Sequence, residues 1–209
     1  MGTSSDVDRI TRAPRAIRVI RCAGAIVAVV GCAPAFPSIA VRTPAGPIAA
    51  DPEKVTVVIV QPESRLRAVS IVDGRGQLVA QLDGRSHTVI HVPEGPTLLY
   101  AVAENRAETA DRIEGTLIAG RVYYATVAER PGGGVALLAL NARSPDGRWR
   151  HKAEYLAATP RMTMNPDLVV REANELGDTA ALMRAADAHV ATLDAGQAAE
   201  HTIQESDGF

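Results

Sequence analysis

Cysteine is nearly absent from this chain of 209 residues: Cys22 and Cys32 are the only two. Two cysteines close at most one disulfide, so a disulfide framework is excluded, and so is a zinc site built from cysteines alone. Aromatic residues are also few, with one Trp, four Tyr and two Phe. Basic clusters interleaved with aromatics are missing, which argues against nucleic-acid binding. Long apolar runs are missing as well. The run that follows Arg21 lasts about ten residues, half of the roughly twenty needed to cross hydrocarbon, and Pro34 and Pro37 obstruct its continuation.

The catalytic motifs with a recognisable mechanism are missing too. There is no H-E-x-x-H, no G-x-S-x-G and no calcium-binding loop. The glycines of Asp73-Gly74-Arg75-Gly76-Gln77 join two predicted strands and open no helix, so they form no phosphate cradle. His87 and His91 fall on one face of one strand, but four residues of strand span about 13 Å. They cannot share a metal ion with bonds of about 2 Å, and are expected as exposed side chains on an outer face. No metal, cofactor or catalytic residue is expected, and the chain reads as a non-enzyme.

What is present begins with Arg9, Arg12, Arg15, Arg18 and Arg21, then the short apolar run, then Gly31 and Cys32. A basic region, an apolar region and a small residue before the cut form the layout of a secretory signal. Val29-Val30-Gly31-Cys32 resembles the lipobox of bacterial lipoproteins, with Val29 where leucine is commonest. The resemblance implies cleavage after residue 31 and acylation of Cys32, which would then be the lipid attachment site. Removing residues 1–31 leaves 178 residues with 17 basic and 22 acidic side chains, a net charge of −5. That balance favours solubility.

Residues 32–52 contain prolines at 34, 37, 44, 47 and 52, the pattern of an extended, semi-rigid tether. From residue 53 to 142 the texture becomes that of short strands. Candidates lie at 54–60, 67–72, 77–82, 87–92, 97–103, 121–129 and 135–141, separated by Asp73-Gly74, Asp83-Gly84 and Glu94-Gly95. About seven short strands at this spacing predict a mainly β domain, an immunoglobulin-like or transthyretin-like sandwich. Residues 143–209 predict a linker and an α-helical hairpin. One helix starts at Asn165-Pro166 and ends at Gly177; a second, capped by Asp178, runs to about Thr202. The second carries Leu182, Met183, Ala186, Val190 and Leu193 on one stripe, which should dock on the sandwich or, as the alternative, on a partner.

Val72-Asp73-Gly74, Pro93-Glu94-Gly95 and Gly120-Arg121-Val122-Tyr123-Tyr124 resemble turn and strand motifs of a group of small bacterial lipoprotein β-sandwich domains. The hairpins are also similar to those of PEGA modules, without the Pro-Glu-Gly-Ala signature. The resemblance implies a lipoprotein sandwich and no catalytic residue. The expected role is non-enzymatic binding or assembly at the cell envelope, with a membrane partner through Cys32 and an envelope protein partner. A module for a glycan or small apolar ligand is the alternative, and an envelope hydrolase a third. Tyr100, Tyr123, Tyr124 and Trp149 are the candidate partner surface, although neighbouring Tyr123 and Tyr124 must face opposite ways on a strand.

Overall fold

The computed structural model describes residues 40–209, except 64, 67, 105, 132, 145 and 166–175. Its framework is two packed sheets. Eleven strands are described: β1 (Ala40–Thr43), β2 (Val55–Gln61), β3 (Ala68–Asp73), β4 (Leu78–Asp83), β5 (Ser86–Val92), β6 (Gly95–Ala103), β7 (Asp111–Leu117), β8 (Val122–Glu129), β9 (Val135–Ala139), β10 (Arg161–Met164) and β11 (Thr202–Ile203). The first sheet has the order β1-β10-β5-β2-β8-β9 and the second β11-β7-β6-β3-β4.

Strand β2 is central because it is apolar on both parities. All seven of its residues are buried. It pairs antiparallel with β5 and parallel with β8. Val55, Val57 and Ile59 point between the sheets, where they meet Val69, Ile71, Leu82, Leu99, Ile113, Tyr123 and Leu137. Each such side chain contributes about 1.5–3 kcal/mol when fully removed from water.

The turns do two kinds of work. Asp73 closes the β3–β4 hairpin, its Oδ1 accepting from the N–H of Arg75 and of Gln77 at 2.9 Å each. The positive φ there belongs to Gly76, at 79°, and not to the Gly74 of the Asp-Gly pair. Asp83-Gly84 and Pro93-Glu94 are not hairpin turns. They are corners that carry the chain from the second sheet to β5 and back again.

Where the sequence predicts about seven strands between residues 53 and 142, eight are present. The additional one is β7. Part of the expected tether is also sheet, since β1 (Ala40–Thr43) pairs antiparallel with β10. The tail also contributes strands. Strands β10 and β11 insert parallel beside β5 and β7, one in each sheet, and Pro37–Phe209 forms one compact unit.

Three helices are described: α1 (Lys152–Ala158), α2 (Thr179–Val190) and α3 (Ala195–Glu200). The expected stripe on α2 holds, with Leu182 and Ala186 buried against Val72, Leu78, Tyr100, Val102 and Ala110 on the outer face of the second sheet. The predicted long helix stops early. The Thr192 hydroxyl donates to the carbonyl of His189, and Asp194 starts α3 with a capping box to Gln197. The predicted helix from Pro166 lies largely outside the described residues. No helix among the described residues is long and apolar enough to cross a membrane.

Candidate functional site

Two constellations stand out, one buried and one on the surface. The buried one pairs Asp111, at the head of β7, with His201, just after α3. The carboxylate is fully enclosed. His201 donates through Nε2 to Asp111 Oδ2 at 2.9 Å and through Nδ1 to the Gln197 carbonyl at 2.8 Å. A ring that donates from both nitrogens is an imidazolium. Burial alone would lower its pKa. The hydrogen bond and charge of Asp111, the Gln197 carbonyl and Glu200 together outweigh that and raise it.

The same Asp111 Oδ2 accepts from the N–H of Leu137 on β9 at 2.9 Å. Strand β9 is the outer strand of the first sheet, so a side chain of the second sheet satisfies part of its free edge. With both ring nitrogens engaged, His201 ties the segment after α3 to β7. It is a clamp.

The surface constellation is an aromatic box on the outer face of the first sheet. Tyr124 projects from β8 on the face opposite buried Tyr123. Gly147, at φ 68°, turns the chain into the short 3-10 segment Arg148–His151 that carries Trp149. Phe209 lies beside β8, exchanging two backbone hydrogen bonds with Val122 at 3.0 and 3.3 Å. Trp149 and Phe209 are near-parallel at 5.2 Å between centroids. Tyr124 meets them edge-on at 5.9 and 6.4 Å. Into this box goes the ammonium of Lys152, 3.9 Å from the centroid of Trp149, 4.3 Å from Tyr124 and 4.7 Å from Phe209. Burial lowers the pKa of Lys152 and raises that of Tyr124.

Of the four residues expected as a partner surface, the structure brings Tyr124 and Trp149 together and withdraws the other two. Tyr123 is in the core, its hydroxyl donating to the carbonyl of Glu205 and accepting from the N–H of Ile118. Tyr100 is buried beneath α2, where its hydroxyl donates to Asp187. Burial and that carboxylate push its pKa up to about 12. Phe209 and Lys152 were not anticipated as site residues. A phenylalanine in a short polar tail carries no signal of what it packs on.

The two histidines of β5 also part company. His91 is exposed, as expected, but His87 is buried, donating through Nδ1 to Thr159 at 2.8 Å. Burial lowers its pKa. Strand β10 and the residues before it cover that end of the outer face, a contact between residues too distant in sequence to foresee. Cys32 lies outside the described residues. Among the described residues no group of three or more His, Cys, Asp or Glu is placed to hold a metal.

A cleft of about 610 Å³ opens beside β11, lined by Pro96, Leu98, Gly115, Thr116, Ile203 and Gln204 among others.

No protein-family model matches the chain. No curated protein matches it either. Among solved structures, one described as the NMR structure of a protein from Eubacterium rectale is similar over 44% of this chain and 93% of its own, at 11% identity and a TM-score of 0.29. A likeness at that score carries no argument about function.

Proposed function

We propose that this protein is a lipid-anchored module of the bacterial cell envelope that binds a partner without catalysing a reaction. The observation that carries the reading is the order of segments at the start of the chain. Five arginines, a short apolar run and Val29-Val30-Gly31-Cys32 precede a folded body whose first described strand is Ala40–Thr43. An acyl chain on Cys32 contributes about 0.8 kcal/mol per buried methylene, and two or more chains give stable anchoring. The body belongs to the immunoglobulin-like or transthyretin-like sandwiches of small envelope lipoproteins. Two packed sheets and a chain that crosses between them at β4–β5 and β5–β6 support that assignment.

The experiment is fractionation of the full-length protein and of Cys32→Ala. The wild type should pellet with membranes and incorporate a labelled fatty acid, and the variant should do neither. Equal membrane retention of the two proteins would overturn the anchor. A second reading, a module for a glycan or small apolar ligand, draws on the cleft beside β11, whose lining includes Pro96, Leu98 and Ile203.

A further inference from the structure

The aromatic box is more than a patch of packed rings, because its contents show what it attracts. Three π faces converge on one cation, at centroid distances of 3.9 to 4.7 Å. Rings within about 6 Å of a cation attract it through their quadrupole, and desolvation strengthens the attraction. Among the described residues, the contacts that face the Lys152 ammonium are these three rings.

A primary ammonium is a poor match for such a place. It carries three N–H donors, and aromatic faces satisfy them less well than water does. Burial accordingly disfavours its charged form. A trimethylammonium group has no N–H donor to leave unsatisfied, is weakly hydrated and presents methyl groups to each ring. It keeps the cation–π attraction and avoids the penalty.

We propose that the box of Tyr124, Trp149 and Phe209 is a recognition site for a trimethylammonium group, and that Lys152 is its built-in competitor. The competitor is free to leave. Lys152 opens α1, a helix with no buried residue, so its side chain can swing out without disturbing the core. Trp149 lines a cleft of about 480 Å³ together with Ala142, Ser144, Asp146, Gly147 and Arg150. The trimethylammonium group can belong to a free solute such as choline or to a phosphatidylcholine headgroup. The proposal rests on the binding role inferred above but not on the lipid anchor.

Trp149 is the only tryptophan in the chain, so its fluorescence reports on the box directly. Full-length wild type and Lys152→Ala are titrated with choline and, in parallel, with ethanolamine, which lacks the methyl groups. Vesicles of phosphatidylcholine are compared with vesicles of phosphatidylethanolamine in the same way. Both proteins should respond saturably to the methylated member of a pair, and Lys152→Ala should bind roughly tenfold more tightly, because a tethered competitor has been removed. Tyr124→Ala should lose the response while keeping its far-ultraviolet circular dichroism.

A response to choline identifies a free solute as a sufficient source, and a response to phosphatidylcholine vesicles alone identifies the headgroup. Equal responses to methylated and unmethylated probes would overturn the proposal. So would no saturable response from a folded wild type. Neither result would bear on the fractionation of Cys32→Ala.

Discussion

Asp111 and His201 should govern the alkaline side of this protein's response to pH. The His201 pKa is raised above 6.5 in the fold, so the pair contributes stability that is fully present below pH 6.5 and is lost as pH rises through the folded value. The groups that set this balance are Asp111, Glu200 and the Gln197 carbonyl. His189 lies close enough to disfavour the charge. His87 and His189 act in the opposite sense. Burial lowers both pKa values, so their stabilisation is full above pH 6.5 and declines as pH falls below it. Urea denaturation from pH 5 to 9 should therefore show a stability maximum near neutrality. His201→Gln should lose the alkaline decline and His87→Gln part of the acid one. His201→Ala, which leaves the Asp111 charge buried and unpaired, should cost about 3–5 kcal/mol at pH 6. An alkaline limb unchanged in His201→Gln would show that another group controls it.

At the scale of elements, the close approach of β7 and β11 depends on a missing side chain. A Cβ at Gly115 would lie 2.4 Å from the carbonyl oxygen of Ile203, backbone that cannot move aside alone. Gly115→Ala should displace β11 and cost about 1–3 kcal/mol, read as a lower urea midpoint with an unchanged slope. Faster amide exchange should be confined to β11 and its neighbours on β7. Uniformly faster exchange would place the defect elsewhere.

The elements that sequence reasoning found are those whose pattern comes from simple burial. Strand β2 shows apolar residues on both parities, and α2 presents Leu182 and Ala186 four apart, so both could be read directly. Strand β7 could not. Its inward positions are Asp111, Ile113, Gly115 and Leu117, and a charge and a glycine at two of the four erase the alternation. Both exceptions have tertiary causes, His201 for one and Ile203 for the other, some ninety residues along the chain. The aromatic box was half legible. Tyr124 had to oppose Tyr123 by strand geometry, but only the fold shows which of the two faces the core. Nothing local links either ring to Lys152 or Phe209.

Across the whole molecule, one short segment ties the two sheets together. Residues 201–209 place His201 on Asp111, Ile203 in the inter-sheet core and Phe209 against Val122 of the first sheet. Between them Asp207 holds both Arg143 and Asn141, and Glu205 accepts from the Tyr123 hydroxyl. A strap of this kind is expected to form late, because its contacts join residues 64 to 90 positions apart and the entropy of closure must be met before any contact rewards it. Deleting residues 201–209 removes the partner of a fully buried carboxylate and exposes apolar surface on both sheets at once. The loss should exceed that of any single cavity in the core, about 2–5 kcal/mol. The truncated chain should melt well below the intact one, bind a hydrophobic dye and lose amide protection in β7 and β8 together. His201→Ala should reproduce the loss at β7 while β8 stays protected through Val122 and Phe209. If truncation left both strands protected and the melting temperature unchanged, each sheet would be stable without the strap, and the last segment would be an ornament on a completed fold.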